Sequence, residues 1–71
     1  MERQPINSGM ISTAGYDASC GTLEIEFRRD GAIWQYLDVP ETMWHEFLNA
    51  ESQGKYWHAH VKSRFREVRV G

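Results

Sequence analysis

Residue types that commonly build catalytic or metal sites are sparse in this chain. Its histidines are His45, His58 and His60, and its single cysteine is Cys20. The spacing of His58 and His60 suits a metal site on a strand, whereas we predict a helix there, and no second cluster of ligands accompanies them. Cys20 lies in a glycine-flanked turn without an identifiable base, which nucleophilic catalysis would need. We therefore expect no metal, no cofactor and no enzymatic activity.

Two glutamates, Glu24 and Glu26, are two residues apart and would share one face of a strand. Paired carboxylates can perform acid–base chemistry, but alternating carboxylates more simply make the solvated face of a strand. No glycine-rich phosphate-binding loop is present. We interpret the two glutamates as a solubilising face.

Trp34 and Tyr36 are the aromatic residues best placed to bind a ligand. Their two-residue spacing puts both rings on one face of a predicted strand. If that face is open, the rings could stack on nucleobases with little sequence preference. The alternative is that they pack beneath a helix as part of the core, because aromatic side chains usually serve burial. The sequence leaves both alternatives open.

Basic residues are concentrated near the C-terminus. The net charge of −2 combines −6 over residues 1–52 with +4 over residues 53–71. Such residues can contact phosphates, arginine through paired hydrogen bonds and lysine as a point charge. Alternatively they form a solvated face, or Glu24 and Glu26 neutralise them. The sequence pI of 5.8 is below that of a dedicated nucleic-acid binder. The candidate phosphate contacts are Lys55, Lys62, Arg64 and Arg66.

These residues must be positioned by a β-hairpin over Leu23–Leu37. Leu23, Ile25 and Phe27 alternate with polar residues, which is typical of a strand with one buried face. Asp30-Gly31 then predicts a tight turn, since both residues tolerate positive φ angles. A weaker alternation predicts an earlier strand over Met10–Tyr16, in which Met10, Ser12, Ala14 and Tyr16 share one face.

Two helices are predicted to follow the hairpin. The first runs from Pro40 to Ala50, and the second is capped by Ser52. Each carries an apolar stripe, on which His60 is expected to be partly buried and hydrogen-bonded. After Ser63 the residues alternate again, with charges that suit a short edge strand. The stripes contain Met43, Trp44, Phe47 and Leu48 in the first helix, and Tyr56, Trp57, His60 and Val61 in the second.

The predicted fold class is α+β, with a three-stranded antiparallel meander followed by two helices and a possible C-terminal edge strand. Seventy-one residues suit one domain over residues 9–71, preceded by a mobile segment, residues 1–8, with little to bury. The lone Cys20 indicates a reducing compartment. With no apolar run long enough for a membrane span and no signal peptide, we expect a cytoplasmic protein that does not enter membranes.

Several separated motifs together resemble the KTSC domain, a small bacterial module found at the C-terminus of some lysyl-tRNA synthetases. They are Ile11-Ser-Thr-Ala-Gly-Tyr-Asp17, Leu23-Glu-Ile-Glu-Phe27, Gly31, Trp34-Gln-Tyr36, Val39-Pro40 and Ser52-x-Gly-x-Tyr-Trp-x-x-His-Val-Lys62. The family usually has Tyr where this chain has Trp34, and often Asn at the position of His58 and Arg at that of Lys62. The resemblance implies no established activity, and its association with synthetases suggests RNA as a ligand.

The sequence therefore predicts a small non-catalytic binding module. RNA is the favoured ligand, with Trp34 and Tyr36 stacking on bases and basic residues contacting phosphates. The alternative is a protein-interaction module, acting as an adaptor or as a homodimer through an edge strand. The basic contacts in the RNA hypothesis are Lys55, Lys62, Arg64 and Arg66.

Overall fold

The computed structural model describes residues 1–71 and contains one antiparallel sheet of five strands. Each strand lies beside its neighbours in chain order, so the sheet is a simple meander. The predicted α+β class is confirmed, but three strands with a possible edge strand understate the sheet. The strands are β1 (Gln4–Pro5), β2 (Ile11–Asp17), β3 (Thr22–Phe27), β4 (Ile33–Tyr36) and β5 (Glu67–Arg69).

The β3–β4 hairpin forms as predicted, but the expectation of a solvated face on β3 is wrong at Thr22 and Glu24, which are buried. Leu23 and Ile25 are buried, and they pair with Tyr36 and Trp34 on the face that the helices cover. Gly31 adopts a φ of 71° in the connecting turn, a conformation that costs glycine little because it has no Cβ. The hairpin is therefore confirmed, with strands slightly shorter than the sequence suggests.

A β-bulge changes the faces of β2. Ile11 pairs with Phe27, whereas Thr13 pairs with Glu26, so two steps along β2 match one step along β3. Both Ile11 and Ala14 are consequently buried in the core. A strict two-residue period puts these two residues on opposite faces, so the predicted faces are wrong for Ile11.

The helices lie over one face of the sheet. Helix α1 spans Glu41–Asn49 and buries Phe47 fully. Helix α2 spans Gln53–Tyr56, and the Ser52 hydroxyl accepts a hydrogen bond from the Lys55 backbone N–H, as the predicted cap requires. No helix in the chain combines the length and the apolar character that crossing a membrane demands.

A π-helical segment, Trp57–Val61, continues α2. It ends with a hydrogen bond from the Lys62 backbone N–H to the Trp57 carbonyl, five residues back. In this wider turn, Val61 lies four residues after Trp57 and stays on the side of the helix that faces the core. His60 lies three residues after Trp57 and is turned away from the core. Val61 is buried and His60 is exposed. The expectation of a partly buried, hydrogen-bonded His60 is therefore wrong.

The N-terminal residues contribute to both the sheet and the core. Strand β1 pairs with β2, and Ile6 is only 5% exposed. A Cβ on Gly15 would meet the Glu2 backbone carbonyl oxygen within contact distance, so glycine allows the N-terminal chain to lie close to β2. The prediction that residues 1–8 have little to bury is wrong for Ile6.

Candidate functional site

A groove of about 430 Å³ lies between the β3–β4 hairpin and the chain that follows the π-helical segment. Its aromatic lining comes from both layers of the fold, because the strands and the π-helical segment each supply rings. Met10 and Ala32 add apolar surface. The aromatic residues of the groove are Phe27, Trp34, Tyr36 and Trp57.

The floor of the groove is a packed aromatic cluster. The Trp57 ring meets Phe27 edge-on with centroids 5.0 Å apart, and meets Tyr36 edge-on at 6.4 Å. Tyr36 is 1% exposed, so its ring belongs to the core. Edge-to-face packing of this kind holds rings in fixed orientations. The rings of the floor therefore hold one another in place.

Two polar groups are built into this apolar floor. Burial raises the pKa of the Tyr36 phenol to about 12, although the neighbouring Trp57 side chain partly opposes the shift. The phenol consequently remains protonated at neutral pH. The buried Trp57 Nε1–H has no hydrogen-bond partner of normal geometry. A buried donor without such a partner is costly, so the Trp57 N–H is the polar group that the floor leaves unsatisfied.

Charged residues surround the groove. Lys62 Nζ lies 5.8 Å from the centroid of the Trp57 ring, a cation–π arrangement that keeps the ammonium at the rim. Arg29 also lines the groove, as do the acidic residues Asp30 and Glu67. The Asp30 carboxylate accepts a hydrogen bond from the Ala32 backbone N–H and is therefore engaged in the hairpin turn. The rim can therefore present Arg29 and Lys62 to an anion.

Trp34 differs from the other two tryptophans. Trp44 stacks against Tyr16 and Phe47, and Trp57 contacts the floor cluster. Trp34 is partly buried against the hydrophobic core, but it also lines the groove and forms no pair with another aromatic ring. It is therefore the indole available in the groove for a planar ligand.

The structure brings together only part of the predicted site. Trp34, Tyr36 and Lys62 all line the groove, but the burial of Tyr36 favours the core alternative and leaves no ring face for stacking. Lys55 lies in a separate depression with Ser52 and His58. Two predicted phosphate contacts, Arg64 and Arg66, are exposed and lie outside the groove lining.

Sequence reasoning missed Trp57 and Phe27 as lining residues. Trp57 lies on the apolar stripe of the second helix, and we interpreted it as core packing. The available signal was the strand register, because Phe27 lies on the same face of the hairpin as Trp34. No pattern in the sequence indicated the π-helical turn that brings Trp57 and Lys62 together.

A polar cluster occupies the opposite face of the sheet. Glu24 is 6% exposed, and its carboxylate accepts hydrogen bonds from Arg3 and Gln35. Arg3 also donates to the Thr13 hydroxyl, which in turn donates to Glu26. Arg3 therefore neutralises Glu24, so the alternative in which C-terminal basic residues do so is wrong. Because Glu24 is buried, its interpretation as part of a solubilising face is also wrong.

We expect this cluster to make stability depend on pH. Burial alone raises the pKa of Glu24, but hydrogen bonds from Gln35 and Arg3 outweigh it and lower the pKa below 4.5. A carboxylate with a lowered folded-state pKa stabilises the fold above its unfolded pKa, and the contribution is lost as the pH falls through the folded value. Arg3→Met should therefore cost about 1–3 kcal/mol at neutral pH, and less in acid.

Urea unfolding at about pH 7 and about pH 3 measures this difference. Arg64→Met is the matched control, because Arg64 is exposed and forms no ion pair with a carboxylate. It should change the free energy of unfolding by less than about 0.5 kcal/mol at either pH. An equal loss of unfolding free energy for Arg3→Met at both pH values would show that the ionised Glu24 carboxylate does not cause the pH dependence.

The histidines and the cysteine have separate local partners. His45 Nε2 lies 3.5 Å from Glu41 Oε2, and the His60 ring lies 4.5 Å from the Tyr56 ring, centroid to centroid. Cys20 is exposed, with its sulfur 3.2 Å from the Thr22 hydroxyl. None of these residues lines the groove.

The fold and site define a small α+β domain with an aromatic groove beside the β3–β4 hairpin. The model of the KTSC domain family matches residues 7–65. The chain therefore belongs to the KTSC domain family. Its structure is similar to the crystal structure of a KTSC domain protein from Yersinia pestis, with a TM-score of 0.94, 38% sequence identity and coverage of 99% of this chain and 97% of that chain.

Curated relatives are of two kinds. A protein of Tsukamurella paurometabola is 40% identical over 65 residues, which cover 92% of this chain and 96% of that protein. A lysine–tRNA ligase of Nostoc sp. is 39% identical over 56 residues, which cover 79% of this chain but only 10% of the ligase. The same domain therefore occurs as nearly a whole protein and as a small part of a synthetase.

Proposed function

We propose that this protein is a non-catalytic module that binds single-stranded RNA in the aromatic groove. Trp34 carries the proposal, because its ring lies in the groove without an aromatic partner. A nucleobase stacked on such a ring contributes about 1–3 kcal/mol to binding, with little dependence on sequence.

The phosphates would lie along the basic side of the groove. Lys62 and Arg29 both line the groove, and Lys62 Nζ lies 5.8 Å from the centroid of the Trp57 ring, so a nucleotide stacked in the groove would have cations beside its phosphate. Arg64 and Arg66 flank this rim in the chain and would extend the path beyond the groove, whereas Lys55 lies in a different depression. Among the residues first predicted from the sequence, we therefore retain Trp34, Lys62, Arg64 and Arg66 as RNA contacts.

The relatives are consistent with this proposal. Two of them are lysine–tRNA ligases, from Nostoc sp. and Trichormus variabilis, and the names of these enzymes connect them with tRNA. The matched part is 9–10% of those ligases, so their activity gives no function for this chain by itself. We infer an accessory contact with RNA, made in the cytoplasm.

A titration of the isotope-labelled protein with a short mixed-sequence single-stranded RNA tests the proposal. At low salt, backbone amide shifts should cluster around Trp34, Trp57 and Lys62. Binding should weaken as salt increases, because each phosphate contact releases counterions, with a slope of about −0.7 per contact in log–log form. The absence of shifts at low salt, or shifts distributed away from the groove, would refute RNA binding at this site.

A further inference from the structure

Strand β5 forms an open edge of the sheet. It pairs with β4 on one side and has no strand on the other. All three of its residues, Glu67–Arg69, are exposed. An uncovered edge presents unpaired backbone groups that can pair with another chain.

The outward-facing backbone groups of β5 can be identified from its hydrogen bonds to β4. The Leu37 N–H donates to the Arg66 carbonyl, and the Val70 N–H donates to the Ile33 carbonyl. In an antiparallel ladder the bonding direction alternates along a strand. The peptide groups of Val68 therefore also face β4, and those of Glu67 and Arg69 face outward.

We propose that this edge binds a second copy of the chain, with the two β5 strands antiparallel and Val68 at the two-fold axis. In this register the outward peptide groups of Glu67 hydrogen-bond with those of Arg69 in the second copy. By symmetry, Arg69 pairs in the same way with Glu67 of the second copy. Centring the pair on Glu67 or on Arg69 instead would put identical charges opposite each other. Opposite charges across a strand pair stabilise it and like charges destabilise it, so the charge pattern selects one register.

Apolar surface at this edge favours the same partner. Val68 is 43% exposed and Val70 is 51% exposed, and both lie with Ile33 on the face of the sheet that the helices leave uncovered. At the proposed axis Val68 would lie directly beside Val68 of the second copy. Non-hydrogen-bonded antiparallel pairs bring side chains close together, so this contact would remove apolar surface from water.

The proposal does not depend on RNA binding, but it has a consequence for the groove. Glu67 lines the groove as well as the open edge. The two-fold axis of an antiparallel strand pair is perpendicular to the sheet, so both helical layers would lie on one side of the dimer. Two grooves would then be adjacent across the axis, and a single ligand strand could occupy both.

Charge reversal at the edge tests the pairing directly. The interface is small, so the wild-type chain should form a weak dimer whose population increases with concentration in analytical ultracentrifugation. Glu67→Arg and Arg69→Glu should each weaken self-association by about tenfold or more, because each creates like-charge pairs. A one-to-one mixture of the two variants should form a heterodimer, since their charges are complementary, and the double variant should recover dimerisation.

Arg64→Glu is the matched control, because Arg64 is exposed and lies outside β5. It changes the net charge as Arg69→Glu does and should leave self-association unchanged. Circular dichroism of each variant verifies that it is folded. A wild-type chain that is monomeric up to about 1 mM would overturn the proposal. So would a dimer that survives both single reversals, or single variants that do not associate when mixed.

Discussion

Phe47→Ala is expected to remove most of the protein's free energy of unfolding at room temperature. Phe47 is 0% exposed, and its ring stacks on Trp44 with centroids 5.9 Å apart and meets Tyr56 edge-on at 6.2 Å. Truncating a buried phenylalanine costs about 3–5 kcal/mol, because transfer energy is lost and a cavity remains. A domain of this size has a total stability of about 5 kcal/mol, so the substitution removes most of it.

Urea unfolding followed by circular dichroism measures the effect. Thr42→Ala is the matched control, because Thr42 is on the same helix but exposed, and it should change the free energy of unfolding by about 0.5 kcal/mol or less. Phe47→Leu retains much of the volume and should give an intermediate loss that can be measured if the alanine variant is already unfolded. A Phe47→Ala variant within about 1 kcal/mol of the wild type would show that α1 does not anchor the core.

Trp34→Leu is expected to reduce the affinity for single-stranded RNA by about 5- to 150-fold. Leucine retains apolar bulk against the core but has no π-face, so the lost binding energy is that of stacking, about 1–3 kcal/mol. The salt dependence of binding should be unchanged, because no phosphate contact is removed. Fluorescence anisotropy of a labelled oligonucleotide at two salt concentrations measures both quantities.

Two further variants make this result specific. Trp44→Leu removes an indole that lies outside the groove, so it should leave the affinity for RNA unchanged. Lys62→Gln should instead reduce the salt slope by about 0.7, as expected for one phosphate contact on a single strand. Equal affinities for the wild type and Trp34→Leu would exclude stacking on Trp34, even if RNA binds elsewhere.

Sequence reasoning predicted the features that depend on local pattern. The strand over Leu23–Phe27, the turn at Gly31 and the cap at Ser52 are all present. Each depends on a preference that a few neighbouring residues express by themselves. The charged edge strand β5 was also anticipated from alternation and composition.

The missed features depend on contacts between distant residues. The bulge in β2 shifts the pairing register, although the amino-acid types continue a two-residue alternation through it. The π-helical turn rotates the apolar stripe of the second helix by part of a turn. Strand β1 forms because Arg3 bonds Glu24 and Ile6 enters the core. The groove depends on the π-helical turn, which brings Trp57 beside the hairpin, so among its lining residues sequence reasoning identified only Trp34, Tyr36 and Lys62 as site residues.

The order of the strands has a kinetic consequence. Strands β1 to β4 pair with neighbours that follow directly in the chain, whereas both helices separate β5 from its partner β4 in the sequence. Short-range pairings close rapidly, and a pairing across a long intervening segment carries a larger entropy of loop closure. We expect β5 to join the sheet last during folding.

An edge that joins last is also the first to be lost when the chain opens. Contacts absent from the folding transition state influence mainly the unfolding rate. Anything that pairs with β5 only when it is in place, such as a second copy of the chain, would then retain the folded state longer and make its lifetime depend on protein concentration. Glu67–Arg69 would thus determine both the self-association of the chain and the lifetime of its folded state.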